Sequence, residues 1–240
     1  MKIKILYENR DILAIDKPAG ALVDLIAKMY PKFILVHRLD KETSGVLLLA
    51  KNKKAHQFLK EQFQARAIKK VYLAVVNGWV KNDRGIIDKP LGRSPKDFRR
   101  HSAGRGARGE MREAETFYKV LKRFTALASS KFFLLRPQAE PSEIKISKML
   151  PQKFTLLEVR PKTGRTHQIR VHLKYLNHPI AGDKLYNPNG LPLPALPLHK
   201  GRRREGGRMM LHAKSIEFQN FKGENVKIES PLPKELKKLI

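Results

Sequence analysis

The chain has 240 residues, 50 of them Lys or Arg and 22 Asp or Glu, for a formal net charge of +28. Such an excess speaks to partners and solubility rather than to fold, and it points first to nucleic acid and second to an anionic membrane surface. A hydrophobic content of 41% supplies the core of one large or two small domains and excludes a chain disordered throughout. With no Cys there are no disulfides, thiolate metal sites, iron-sulfur clusters or cysteine nucleophiles. The opening residues, MKIKILYENRDILAIDKP, carry charges every few positions, unlike a secretory signal. Apolar runs such as residues 46–50 fall far short of the ~20 residues of a membrane span. A soluble cytoplasmic protein is expected.

Ile3, Ile5 and Tyr7 alternate with Lys2, Lys4 and Leu6, and residues 12–15 are apolar, so two strands split by Asn9-Arg10-Asp11 are predicted. Lys17-Pro18-Ala19-Gly20 reads as a turn, and residues 21–30 are ambiguous. Residues 33–36 and 46–50 are strand candidates flanking the polar loop HRLDKETSG, which displays side chains at a sheet margin. Over 53–67, Ala55, Phe58, Leu59, Phe63 and Ala67 recur at helical spacing and predict an amphipathic surface helix. Residues 71–76 read as a strand with Tyr72 facing away from Val71 and Leu73. Further strands are predicted at 116–121, 131–135 and 154–160, and a helix carrying Ile169, His172, Leu173 and Leu176 after Thr163-Gly164.

Two stretches stand apart in composition. Residues 93–112 hold seven Lys or Arg against two acids, and 199–208 hold five against one. Both are rich in Gly and Arg, as mobile loops that order on a polyanion would be; a solvated loop without a role is the alternative.

No GxxxxGK[ST], no GxGxxG after a strand and no HExxH is present, so P-loop, dinucleotide and zincin chemistry are unsupported. His167 and His172, five apart, would fall on different helix faces, which argues against joint metal ligation. The densest segment is His37-Arg38-Leu39-Asp40-Lys41-Glu42-Thr43-Ser44-Gly45. Cations at 38 and 41 favour an ionised, nucleophilic Asp40, although a loop Asp bound to local N–H groups is the more common case. The segment RPKTGRTHQIRVH, residues 160–172, brings Arg165, His167, Gln168 and Arg170 to the start of a helix. That places them either to hold a carboxylate or to touch phosphate.

The first of these segments, continued through Leu47-Leu48-Leu49-Ala50-Lys51, resembles the catalytic motif of the RluA-type pseudouridine synthases. The likeness extends in order through Asp16-Lys17-Pro18-Ala19-Gly20, Lys70-Val71-Tyr72-Leu73-Ala74 and Thr163 to His172. It continues through His178 to Asp183 with Tyr186, Leu211-His212-Ala213 and Ser230-Pro231-Leu232-Pro233. The resemblance implies a mixed α/β (α+β) fold with a largely antiparallel central sheet, flanking helices and loops, and a basic catalytic cleft. It implies an RNA isomerase turning uridine into pseudouridine in ribosomal or transfer RNA. Such an enzyme works without cofactor or metal. A monomer with no membrane and no obligate protein partner is expected.

By the same resemblance Asp40 is the nucleophile, Tyr72 packs on the uracil as the candidate for taking the C5 proton, and Arg165 pairs with Asp40. Arg38 stands beside the extruded nucleotide, and His37, Lys17, Thr43, His167, Gln168 and Arg170 contact the substrate or its RNA, Lys17 by support or contact. A catalytically silent RNA-binding factor on the same scaffold is the rival reading. Departures from the pattern are Asp16 where Asn is usual, a shortened segment after Gly20 and apparent insertions at 138–150 and 191–207. One catalytic domain over 1–240 is expected, with basic loops at 93–112 and 191–208 and no N-terminal RNA-binding domain of the S4 type.

Overall fold

A computed structural model describes residues 3–104, 107–128, 150–188 and 207–237. The predicted strand at 131–135, residues 138–149 and nearly all of 191–208 lie outside the described residues.

Strands β1 (Lys4–Glu8) and β2 (Ile12–Lys17) form the opening hairpin. Asn9 closes it by accepting the N–H groups of Asp11 and Ile12 on its side-chain carbonyl. The ambiguous segment becomes helix α1 (Val23–Met29), which buries Val23 and Ile26. The strand predicted at 33–36 shrinks to β3 (Ile34–Leu35). Next come β4 (Ser44–Ala50) and α2 (Lys53–Gln64). Asn52 caps α2 by accepting the Ala55 N–H at 2.8 Å. The helix ends short of the expected residue 67 because Arg66 takes a left-handed φ of 58°.

Strand β5 (Lys69–Asn77) leads to β6 (Arg84–Asp88) and then to β7 (Leu91–Arg93), β8 (His101–Ala103) and β9 (Arg108–Arg112). The basic stretch expected as a mobile loop is therefore in large part a small antiparallel sheet, ordered β8-β7-β9. Leu91 and Ala103 hold it down on Val171 and Tyr186. Strands β10 (Glu115–Ala128) and β11 (Leu150–Pro161) exceed the segments predicted for them, because each pairs along the other. Helix α3 (Gln168–Tyr175), strands β12 (Leu211–Gln219) and β13 (Asn225–Glu229), and helix α4 (Lys234–Lys237) follow.

The main sheet runs β1-β2-β4-β12-β5-β11-β10-β6, with β13 on β12 and β3 on β4. Every pairing in it is antiparallel except β4 with β12. Strand β4 explains its unbroken apolar run by being buried on both faces. Val46 and Leu48 join the cluster that includes Leu59 of α2, while Leu47 and Leu49 join the one that includes Val23 and Ile26 of α1. The strand's upstream end is thereby fixed between two cores, and the HRLD loop hangs from it. Among the described residues no helix is long and apolar enough to cross a membrane.

Candidate active site

The loop before β4 is held from below by Lys17. Its ammonium is wholly buried and donates to the carbonyls of Ala21 at 2.8 Å, Lys41 at 2.9 Å and Pro18 at 3.0 Å. Burial pushes its pKa down to about 8 against the attraction of Glu42 and Asp40. With three carbonyls and no exposure, Lys17 is a clamp and not an RNA contact. The loop turns where the Thr43 N–H meets the Asp40 carbonyl at 3.1 Å, with Thr43 buried at the cleft wall. His37 points inward, accepts the Leu48 N–H at 3.0 Å on Nε2 and stacks on Phe63. Burial, with Lys70 adding to it, pushes its pKa down to about 4, so it is a neutral strut. Arg38 alone of this trio is exposed, at the mouth of the cleft.

Immediately downstream, Gly45 sits at φ 116° where β4 crosses its parallel partner. A Cβ there would lie 2.1 Å from the Ala213 carbonyl oxygen, so no side chain fits. Behind the crossing, Arg208 donates to Ser44 Oγ at 2.9 Å, which frees the hydroxyl proton of Ser44 for His212 Nδ1, also at 2.9 Å. Burial and the Arg208 charge push His212 down to about 4.

Asp40 opens into a cleft of about 490 Å³, partly open to solvent, and is the sole carboxylate among its described lining residues. Its cation is Arg170, whose Nη1 donates to Oδ2 at 3.0 Å. Arg170 is itself locked by Asp183, which accepts from Nε at 2.7 Å and Nη2 at 2.9 Å, and its guanidinium lies 4.9 Å over the Tyr186 ring. Burial alone would weaken the Arg170 charge, but Asp183 and Asp40 outweigh it and hold the group protonated. On the other carboxylate oxygen, His167 Nε2 stands 3.8 Å from Oδ1.

His167 caps α3 in a left-handed conformation, φ 55°, which swings its ring out of the helix and between Asp40 and Tyr186. Its Nδ1 is 2.9 Å from the Tyr186 hydroxyl, which also accepts the His101 N–H at 2.8 Å. With Tyr186 donating to Nδ1, the Nε2 hydrogen is aimed at Asp40. Burial lowers the His167 pKa, with Asp40 opposing, and keeps it neutral.

Tyr72 faces the cleft from β5, between Val159 of β11 and Ala213 of β12. Burial, reinforced by the Asp40 charge, raises its phenol pKa far above the ordinary value, so the resting ring is un-ionised. Lys70 completes the floor, donating to the Thr163 carbonyl at 3.1 Å, with its pKa pushed down to about 8 by burial.

Besides His37, which packs inward on Phe63 instead of meeting RNA, two expectations are corrected. Arg165, expected to hold Asp40, is an exposed residue of the cleft lining that donates its Nε to the Glu113 carbonyl at 3.0 Å; the arginine on Asp40 is Arg170. The helix begins only after the left-handed His167, so Arg165 precedes it while Arg170 lies within its first turn. Gln168, expected to touch RNA, is buried with its amide fully used. It accepts from Thr163 and the Arg165 N–H, and donates to the Glu115 carbonyl and Thr116. Lys70, Asp183 and Tyr186 were not singled out as site residues, although each lies inside one of the motif blocks. Among the described residues no group of three or more His, Asp or Glu is arranged to hold a metal.

A family model described as RNA pseudouridylate synthase matches residues 11–175. An RNA pseudouridine synthase of Bacillus subtilis is 33% identical over 264 residues, covering 100% of this chain and 72% of the relative. The ribosomal large subunit pseudouridine synthase D of Xanthomonas campestris is 34% identical, covering 99% and 68%, and that of Pseudomonas aeruginosa 33%, covering 98% and 70%. Among solved structures, human RNA Pseudouridylate Synthase Domain Containing 1 superposes with a TM-score of 0.72 at 27% identity, covering 97% of this chain and 84% of that one.

Proposed function

The chain belongs to the RNA pseudouridine synthase family, whose members isomerise uridine in RNA to pseudouridine, and on that premise we propose that Asp40 is its nucleophile and large-subunit ribosomal RNA its substrate. The observation that carries the reading is the Asp40 carboxylate: alone in a basic cleft, bonded by an arginine that a second, buried carboxylate holds in place. Two relatives are named for the ribosomal large subunit, which favours that RNA over transfer RNA.

The reaction breaks the C1′–N1 glycosidic bond, turns the uracil within the cleft and joins C1′ to C5. C5 releases a proton and N1 gains one, so substrate and product hold the same atoms and the balance calls for no oxidant, reductant or cofactor. A carboxylate can start this by attacking C1′, by taking the C2′ proton or by adding to the base. Each route needs it aimed at the substrate, and the hydrogen bond from Arg170 fixes its orientation. Tyr72 offers a flat face to the uracil. Since its phenol is held protonated, the platform role is better supported than that of a base in the resting site. Arg38, exposed at the mouth, stands beside the extruded nucleotide.

The reading takes the protein to work as a monomer. One main sheet from Lys4 to Glu229 supports a single catalytic domain. On this reading its place of work is the cytoplasm.

Asp40→Asn tests the assignment. Tritium release from RNA labelled at uridine C5 is expected to fall by roughly 10³-fold or more, while affinity for the same RNA stays within about twofold. Turnover near that of the unaltered protein would remove Asp40 from the role.

A further inference from the structure

The connection between β7 and β8 carries a feature the cleft chemistry does not use. Phe98 is 87% exposed, the most exposed of the large apolar side chains described. A lone apolar side chain on a surface needs no explanation by itself; its setting here does. The turn is closed by backbone bonds from the Ser94 N–H to the Arg100 carbonyl at 3.0 Å and from the Arg100 N–H to the Asp97 carbonyl at 2.9 Å. The Asp97 carboxylate accepts the Arg99 N–H at 3.0 Å and both Nε and Nη2 of the Arg99 guanidinium, and Arg100 Nε stands 3.3 Å away. Asp97 thus holds Arg99, stands at ion-pair distance from Arg100 and leaves the Phe98 ring beside them exposed, with Lys96 in the same turn and Arg93 at the end of β7.

The base of the hairpin reaches the active site. The His101 N–H donates to the Tyr186 hydroxyl, Tyr186 meets His167, and His167 stands 3.8 Å from Asp40.

We infer that Phe98 is a base-stacking subsite of the substrate RNA, receiving an unpaired nucleotide near the target uridine while the flanking arginines meet its phosphates. Charge decides the class of partner: an aromatic ring set among four cations on a chain of net charge +28 suits a polyanion with flat rings. An apolar protein partner would want a contiguous patch instead. The need also follows from the reaction, because extruding a uridine leaves its neighbours with an unstacked face that a nearby ring can cover. The inference rests on the pseudouridine synthase reading.

The test is equilibrium binding of an unmodified large-subunit ribosomal RNA transcript, with pseudouridine formation measured on the same RNA. Phe98→Ala is expected to lower affinity about tenfold and to raise KM with kcat nearly unchanged, at an unchanged melting temperature. Phe98→Trp should retain full affinity, and Phe98→Leu, apolar but without a π face, should behave like the alanine variant. The salt dependence of binding is expected to stay the same for Phe98→Ala but to lose about one unit of slope in Arg99→Gln. Equal affinity of Phe98→Ala and the unaltered protein overturns the stack, as does full affinity in Phe98→Leu. Failure of the underlying reading is a separate result. A transcript that is bound, with tenfold loss on Phe98→Ala but no pseudouridine from the unaltered protein, removes the enzymatic reading and leaves the stack standing. No binding by the unaltered protein removes both.

Discussion

Asp40 and Asp97 each hold an arginine, and the two pairs do opposite work. Asp97 and Arg99 are two residues apart on one exposed turn, so their pairing is local, largely solvated and screened by salt. Asp40 and Arg170 are 130 residues apart, and Arg170 is nearly buried between two carboxylates. The exposed pair shapes a few residues of backbone and leaves a ring free. The buried one joins the loop before β4 to α3 and, through Asp183, to the segment before Tyr186. The same two functional groups make a surface feature where the arginine is exposed and, on the proposed reading, a reaction centre where the arginine is buried.

The largest effect is expected at Arg170. Replacing it by Met leaves the buried Asp183 with the Leu185 and Tyr186 N–H groups but no cation, a loss of about 3–5 kcal/mol, and deprives Asp40 of its cation. Both the denaturation midpoint and tritium release should fall steeply. Arg170→Lys should fare little better, because one ammonium cannot reproduce a fork that meets both carboxylates. Arg165→Met, by contrast, should leave stability nearly intact and change turnover modestly. Equal collapse of both variants would erase the distinction between the two arginines.

Acid should separate the two regions next. His37 and His212, around the Asp40 loop, are held down to about 4 from the ordinary 6.5, chiefly by burial. The unfolded chain therefore binds more protons than the folded one between these values. Stability is full above about pH 6.5 and declines as pH falls toward 4, by roughly 1.4 kcal/mol per pH unit for each histidine. His212→Gln should flatten this decline in urea titrations at pH 7, 6 and 5; an unchanged slope would contradict the neutral, buried state of the ring. The Asp97 carboxyl, lowered to about 2 by its bonds to Arg99, releases its contribution only as pH falls from about 3.8 toward 2, below this window.

Smallest of all is the effect expected for Asp97→Ala. The melting temperature should not change measurably, since the pair it breaks is solvent-exposed. A drop of several degrees would show that the small sheet depends on this turn.

Much of the frame was legible in the residues. The apolar run of β4, the 3.6-residue period of α2 and the loop bearing Asp40 could be read because each is a local pattern. The choice between Arg165 and Arg170 could not. It depends on where α3 begins, and that is fixed by a left-handed histidine whose conformation is rewarded only by contacts with Tyr186 and Asp40. The sheet of β7, β8 and β9 was hidden for a related reason. Its strands are short and polar, and what holds them is packing of Leu91 and Ala103 against residues far along the chain. Lys17 reads as either support or RNA contact until three carbonyls from two loops are seen around it.

The parallel crossing of β4 with β12 also has a bearing on biosynthesis. Ser44 and its partner His212 are 168 residues apart. At ordinary translation rates of about 5–20 residues per second, the nascent chain waits roughly ten to thirty seconds between the two. For all of that interval the Asp40 loop lacks the β12 wall, and for most of it the Arg170 cation. A nascent chain stopped before residue 170 would therefore carry Asp40 without the arginine and the strand that complete its setting.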